Sequence, residues 1–161
     1  MSESITIDKS LSKEEKYKQL VPQVRALVEG EPDMIANLAN ICGALKYGMD
    51  GFFWLGFYFI KGEELVIGPY QGPVPCTRIH ISKGVCGAAA REKRTIIVED
   101  VDKFPGHIAC SSESKSEIVI PIWKNDSVMG VLDIDSDSYA MFDSIDAKYL
   151  EEICKIVSGL V

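Results

Sequence analysis

The side chains best suited to chemistry in this chain are three cysteines, Cys76, Cys86 and Cys110, which lie near glycine and proline in its middle third. Cys86 begins a short predicted helix behind a glycine turn. Because the dipole at a helix N-terminus favours the thiolate, we expect a lowered pKa there. The spacings of 10 and 24 residues match no compact CxxC zinc motif. Redox chemistry at two or more of these thiols is therefore predicted, and a metal site that they form with His80 or His107 is the alternative.

Three carboxylates follow the cysteines at positions where they can share one site. Asp133 and Asp135 lie two residues apart in a predicted strand, and residues two apart point to the same face of a sheet. Glu117 opens the apolar run 118–123, which predicts a neighbouring strand. Close carboxylates repel each other and raise at least one pKa, unless something cationic or proton-accepting binds between them. Such acids beside thiols indicate redox chemistry on a small, charged substrate, and a solvated face of an antiparallel sheet is the alternative.

The aromatic run 52–59 provides a candidate wall for such a site. Alternation along a strand places Trp54, Gly56 and Tyr58 on one face, while the opposite face has the apolar character of ordinary core. Trp54 and Tyr58 flank a glycine, so they could line a pocket with room over Gly56.

Composition and charge restrict the classes of partner. The chain has 161 residues, 47% of them hydrophobic, and we expect residues 1–161 to form a single domain. A formal net charge of −7 argues against nucleic acid and against a polybasic membrane anchor. No apolar run approaches the roughly 20 residues of a membrane span, and residues 1–8 lack the features of a signal peptide. We therefore expect a cytoplasmic protein with no nucleic-acid or membrane partner.

The number of cysteines is five, which is odd. A cytoplasmic compartment keeps thiols reduced, so a structural disulfide framework is not expected. Cys42 and Cys154 lie on the apolar faces of predicted helices and are expected to be plain core residues.

Hydrophobic periodicity predicts helices at both ends of the chain and strands in its middle. Ser12 and Glu15 form a capping-box pattern that opens a helix to about Glu29, which Pro22 either kinks or divides in two. Other helices are expected over about 34–47, 84–92 and 144–160, and strands over about 52–60, 64–68, 78–81, 95–98, 116–123 and 127–135. The segment 68–76 is too rich in glycine and proline for regular structure. Strands in hairpins between terminal helices indicate an α+β domain on an antiparallel sheet.

Five short segments carry motifs of a known family: FWLGFY at 53–58, GPYQG at 68–72, GVCG at 84–87, EIVIPI at 117–122 and GVLDIDS at 130–136. They resemble the GAF domain and, more narrowly, the free methionine-(R)-sulfoxide reductases. The likeness runs from about Lys18 to the C-terminus. The three cysteines, together with the runs 71–73 and 133–135, make it highly specific. The resemblance implies a GAF-like six-stranded antiparallel sheet flanked by helices from both chain ends.

The resemblance also implies a role for each cysteine. Cys110 matches the attacking cysteine of the family, and Cys76 and Cys86 match its two other cysteines, one of which resolves the intermediate. In the implied reaction, a thiolate attacks the sulfoxide sulfur while an acid protonates the departing oxygen. Methionine leaves, a cysteine sulfenic acid remains, and a second thiol converts it into an intramolecular disulfide that thioredoxin reduces.

The acids and the aromatic residues have matching roles by the same resemblance. Glu117, Asp133 and Asp135 correspond to substrate-binding and acid residues, and Glu117 and Asp135 are the candidates for catalysis. Trp54 and Tyr58 correspond to the aromatic wall around the thioether methyl group. A closed pocket that binds the ammonium and carboxylate groups of the free amino acid would exclude peptide-bound methionine sulfoxide. The resemblance implies no metal or organic cofactor.

Two other functional classes remain open from the sequence. One is a GAF module that binds a small ligand and regulates a partner without catalysis, and the other is a metal-sensing domain. GAF domains often pair through their terminal helices, which makes a homodimer possible.

Overall fold

The computed structural model describes residues 4–108 and 110–161, and over these ranges the chain forms a six-stranded antiparallel sheet with helices on both faces. The helices are α1 (Lys13–Val28), α2 (Met34–Gly48), α3 (Gly84–Glu92) and α4 (Ser144–Ser158). The strands are β1 (Trp54–Lys61), β2 (Glu64–Gln71), β3 (Arg78–His80), β4 (Ile96–Val98), β5 (Ser116–Lys124) and β6 (Ser127–Ser136). This arrangement confirms the predicted GAF-like α+β fold.

The sheet order is β3-β2-β1-β6-β5-β4, so β1 and β6 lie at its centre. Because side chains alternate across a strand, each central strand contributes to two separate cores. Leu55 and Phe57 of β1 pack beneath α1, α2 and α4, whereas Trp54 and Tyr58 of β1 point to the face covered by α3. The face that carries α3 also holds the candidate site.

Capping residues fix the helices at the chain ends. The Ser12 side chain accepts a hydrogen bond from the Glu15 backbone, and Glu15 returns one, as the capping-box pattern predicts. Helix α1 continues through Pro22, so the division of this region into two helices is wrong. Within the described part of the chain, no helix combines the length and apolar character needed to cross a membrane.

The glycine- and proline-rich segment after Ile67 differs from its prediction. Strand β2 extends to Gln71, whereas residues 68–76 were expected to be irregular throughout. The pairing of β2 with β1 shifts register between Gly56 and Tyr58, which places Pro69 at a bulge. A bulge tolerates proline because it interrupts the ladder of backbone hydrogen bonds at that point.

Candidate functional site

A pocket lies between the α3 face of the sheet and two loops. Its floor is formed by β1, β5 and β6, and the first turn of α3 forms one side. The loops are residues 72–77, called here the Cys76 loop, and the segment before β5 that carries Cys110. The cavity has a volume of about 40 Å³.

The three predicted carboxylates meet on the floor of this pocket because of the strand register. Asp135 of β6 lies opposite Glu117 of β5 and opposite Trp54 of β1, so these residues form one row across three strands. Asp133 lies in the next row, opposite Gly56. Glu117 is 5% exposed and Asp133 is 6% exposed. The alternative of a solvated sheet face is therefore wrong for both residues.

Burial and mutual repulsion favour the protonated forms of these acids. Burial, followed by the charges of Asp133 and Asp135, raises the pKa of Glu117 well above its ordinary value. Burial and then the charge of Asp133 likewise raise the pKa of Asp135. Burial raises the pKa of Asp133 to about 6, and the neighbouring Cys86 and Glu117 limit the rise. Among the described residues that line the pocket, none is a lysine or an arginine.

The structure joins two of the three candidate cysteines. Cys76 and Cys110 form a disulfide that links the two loops above the pocket. Their thiols cannot both ligate a metal in this state, and His80 is exposed on β3, so the predicted metal site on three thiols is not formed here. Cys110 lines the pocket together with the three acids, so the disulfide lies in the pocket wall.

Cys86 differs from its prediction. It lies in the first turn of α3 and is 3% exposed. Burial, followed by the charges of Asp133 and Glu117, raises the pKa of its thiol well above the ordinary value. The expected lowering by the helix dipole is therefore wrong, because desolvation and two nearby carboxylates outweigh the dipole. Cys42 and Cys154 are buried on the other face of the sheet, as predicted for core residues.

Trp54 and Tyr58 line the pocket and also hold its upper loop. The indole Nε1 of Trp54 donates a hydrogen bond of 3.0 Å to the carbonyl oxygen of Pro73. The phenol of Tyr58 donates one of 2.8 Å to the carbonyl oxygen of Cys76. The predicted room over Gly56 is filled, because a Cβ there would lie 2.5 Å from Tyr70 and 2.7 Å from the Trp54 ring. Because Gly56 has no side chain, the rings of Trp54 and Tyr70 can pack against each other.

Several residues that line the pocket were not predicted to bind the substrate, although His107 was named as a ligand of the alternative metal site. His107 lies in the pocket wall, and burial lowers the pKa of its imidazole. The remaining additions are small or apolar side chains of the loops and of α3, such as Val74, Val85, Ile108 and Ser114. Val85 belongs to the GVCG motif at 84–87, whereas only the fold identifies Val74, Ile108 and Ser114.

Comparison with known proteins agrees with this geometry. A family model of the GAF domain matches residues 25–160. GAF domain-containing protein A of Dictyostelium discoideum is 54% identical over 160 residues, which cover 99% of this chain and 100% of that protein. The free methionine-R-sulfoxide reductase of Saccharomyces cerevisiae is 40% identical over 165 residues, covering 98% of this chain and 92% of that protein.

A solved structure gives the same result in three dimensions. The X-ray structure of free methionine-R-sulfoxide reductase from Neisseria meningitidis, in complex with its substrate, matches with a TM-score of 0.95 and 43% identity. The match covers 99% of this chain and 95% of that chain. This chain therefore belongs to the GAF-domain family, and within it to the group that contains the free methionine-R-sulfoxide reductases.

Proposed function

We propose that this protein reduces free methionine-(R)-sulfoxide to methionine, with Cys110 as the nucleophile, Cys76 as the resolving cysteine and thioredoxin as the reductant. The observation that carries the proposal is the Cys76–Cys110 disulfide, which lies above a pocket with three clustered carboxylates. A disulfide beside an acidic pocket is what a thiol-based reductase of a substrate with a free ammonium group leaves after one turnover.

The charges of the pocket support a substrate with a free ammonium group. Oδ1 of Asp133 is buried and has no hydrogen-bond partner among the described residues, so this carboxylate is suited to bind the ammonium. A peptide-bound methionine sulfoxide has no such ammonium group and would leave the buried carboxylate unpaired, which is costly. Trp54 and Tyr58 provide an apolar wall for the methyl group.

The two other acids suit proton donation. Glu117 and Asp135 both have raised pKa values, so together they hold a proton near neutral pH that one of them can give to the sulfoxide oxygen. A carboxyl that stays protonated beside an ionised one is the arrangement that general acid catalysis needs. The shared proton belongs to the group of acids rather than to one residue.

The reaction then proceeds in three stages, which are reduction of the sulfoxide, formation of the disulfide and reduction of the disulfide. The Cys110 thiolate attacks the sulfoxide sulfur, and the oxygen is protonated and leaves as water. Water then attacks the Cys110 sulfur, which breaks the new S–S bond, releases methionine and leaves Cys110 sulfenic acid with loss of one proton. The Cys76 thiol displaces that hydroxyl as water and forms the disulfide. A dithiol reductant returns both cysteines to thiols and becomes a disulfide itself.

Other parts of the proposal fit the same geometry. Helices α1 and α4 pack on the sheet face opposite the pocket, so a homodimer that pairs through them would leave the pocket accessible. Thioredoxin recycling and a cytoplasmic location are consistent with each other, because that compartment supplies the dithiol reductant.

The test is NADPH oxidation coupled through thioredoxin reductase and thioredoxin. We expect turnover with free methionine-(R)-sulfoxide and little with the S epimer or with N-acetylmethionine sulfoxide. The Cys154→Ala variant serves as the control, since Cys154 is buried on the opposite face. The alternative, a module that only binds a small ligand, predicts no NADPH oxidation with either epimer.

A further inference from the structure

Cys86 has no role in the proposed reaction, yet it lies beside the acids that do. Its thiol is buried and lines the same pocket as Glu117 and Asp133. The Cys86 sulfur and one carboxylate oxygen from each of these two acids lie within 4.8 Å of one another. The three residues come from α3, β5 and β6, so three different elements bring one donor atom each to the same point.

One buried oxygen at this point has no partner. Asp133 is only 6% exposed, and its Oδ1 has no hydrogen-bond partner among the described residues. A buried carboxylate oxygen without a donor is costly, so the site favours a ligand that is positively charged. The ammonium group of the proposed substrate satisfies the carboxylates. The Cys86 thiol lies beside Asp133 as a weak hydrogen-bond donor, and as a thiolate it could also ligate a metal ion.

A thiol and two carboxylates together are a donor set for a divalent cation of the zinc type. Ligand distances of about 2.0–2.3 Å bring donor atoms of one tetrahedral ion within about 4 Å of each other, so a small inward adjustment suffices. The cavity of about 40 Å³ exceeds the roughly 10–15 Å³ that one water molecule needs, so an ion can be held at this point.

We propose that Cys86, Glu117 and Asp133 form a binding site for a zinc-like cation, which inhibits the enzyme by occupying the position of the substrate ammonium. On binding, the Cys86 thiol and the protonated carboxyl of Glu117 lose their protons to solvent. The thiolate and one oxygen from each acid then form the coordination sphere, with a fourth position open to the pocket. The inhibitory part rests on the proposed function, and the metal binding does not.

The first experiment measures binding to the oxidised protein, in which Cys76 and Cys110 are tied in the disulfide and cannot ligate. Cd²⁺ is the probe, because a bond between cadmium and a thiolate produces a charge-transfer band in the ultraviolet. We expect one Cd²⁺ per chain and a band that the Cys86→Ala variant lacks. Removing one ligand should weaken binding by at least about tenfold in Cys86→Ala and in Asp133→Asn. The Cys154→Ala variant should bind as the wild type does.

The outcomes separate the two proposals. Absence of a band in the oxidised wild type, or an unchanged band in Cys86→Ala, overturns the metal site whatever the enzyme assay shows. Circular dichroism of Cys86→Ala checks its fold, and Cys86→Ser, which keeps the size of the side chain, replaces it if folding fails. A cadmium band in a protein that does not reduce methionine sulfoxide supports the site and overturns only the proposed function.

The second experiment tests inhibition with reduced enzyme in a single turnover without thioredoxin. One equivalent of Zn²⁺ should slow methionine formation in the wild type, and Cys86→Ala should need about tenfold more Zn²⁺ for the same effect. Equal sensitivity of the two proteins would assign the inhibition to the thiols of Cys76 and Cys110 and would overturn the inhibitory role of this site.

Discussion

The phenol of Tyr58 donates a hydrogen bond of 2.8 Å to the backbone carbonyl of Cys76. Tyr58 lies on the floor of the pocket, in central strand β1, whereas Cys76 lies in the loop above it. This hydrogen bond therefore positions the Cys76 loop relative to the sheet. Together with the hydrogen bond from Trp54 to Pro73, it fixes the position from which Cys76 meets Cys110.

Tyr58→Phe should affect disulfide formation more than methionine formation. The substitution keeps the ring and removes only the donor, which is worth about 0.5–1.5 kcal/mol, so disulfide formation should slow by about two- to tenfold relative to the first step. Trapping of the sulfenic acid, followed by mass spectrometry, measures how long the intermediate persists. Tyr149→Phe, which removes a hydrogen bond to Glu14 outside the pocket, is the matched control. Equal slowing of both steps would argue against a positioning role.

Variants of Cys76 and Cys86 should differ in whether thioredoxin can return the enzyme to its reduced form. Because Cys76 is bonded to Cys110 in the structure, Cys76→Ser should release one equivalent of methionine per chain and then stop with thioredoxin present. Cys86→Ser should continue to recycle. The measurement is methionine released per chain over time. Continued turnover of Cys76→Ser at the wild-type rate would transfer the resolving role to another thiol.

Replacement of the acids should lower kcat/KM by at least about tenfold each, or on the order of 1.4 kcal/mol of transition-state stabilisation. Asp133→Asn removes the carboxylate that is proposed to bind the ammonium, so its effect should appear largely in KM. Glu117→Gln and Asp135→Asn remove the shared proton and should lower kcat. Asp126→Asn, in the exposed turn between β5 and β6, is the control. Near wild-type steady-state kinetics in all three variants would remove the acids from the mechanism.

The same burial predicts a pH-dependent stability. The pKa of Asp133 rises from 3.8 to about 6 on folding, so the native state holds this proton more tightly than the unfolded chain does. The free energy of unfolding of the wild type should therefore fall as pH rises through this range, because the ionised form is disfavoured in the fold. Asp133→Asn avoids this cost.

Urea unfolding of wild type and Asp133→Asn at about pH 4 and about pH 7.5 measures the effect. The free energy of unfolding of the variant, relative to that of the wild type, should rise by at least about 1 kcal/mol from about pH 4 to about pH 7.5. Asp126→Asn should show no such gain. A difference between Asp133→Asn and wild type that stays constant with pH would mean that the carboxylate is not disfavoured by the fold.

The faces of the strands could be predicted from the sequence because the period of two depends on the backbone alone. This places Trp54 and Tyr58 on one face of β1, and Asp133 and Asp135 on one face of β6. The register that sets Asp135 opposite Glu117 arises from pairing between strands and needed the structure.

The positions of the cysteines were harder to predict. The structure brings Cys76 to Cys110 through a loop held by contacts to β1, which sequence spacing does not encode. Cys86 shows a different limit. Its position at the start of a helix predicted a lowered pKa and a reactive thiolate. Burial in the core and the acids of β5 and β6 instead raise the pKa of its thiol.

The most direct test of the proposed mechanism follows one turnover of the reduced wild-type protein. One equivalent of free methionine-(R)-sulfoxide is added without thioredoxin, methionine is quantified, and the disulfide is located by peptide mapping. We expect one methionine per chain and a new bond between Cys76 and Cys110, with Cys86 still a thiol. Absence of methionine, or methionine formation with a disulfide that contains Cys86 instead, would contradict the proposed mechanism.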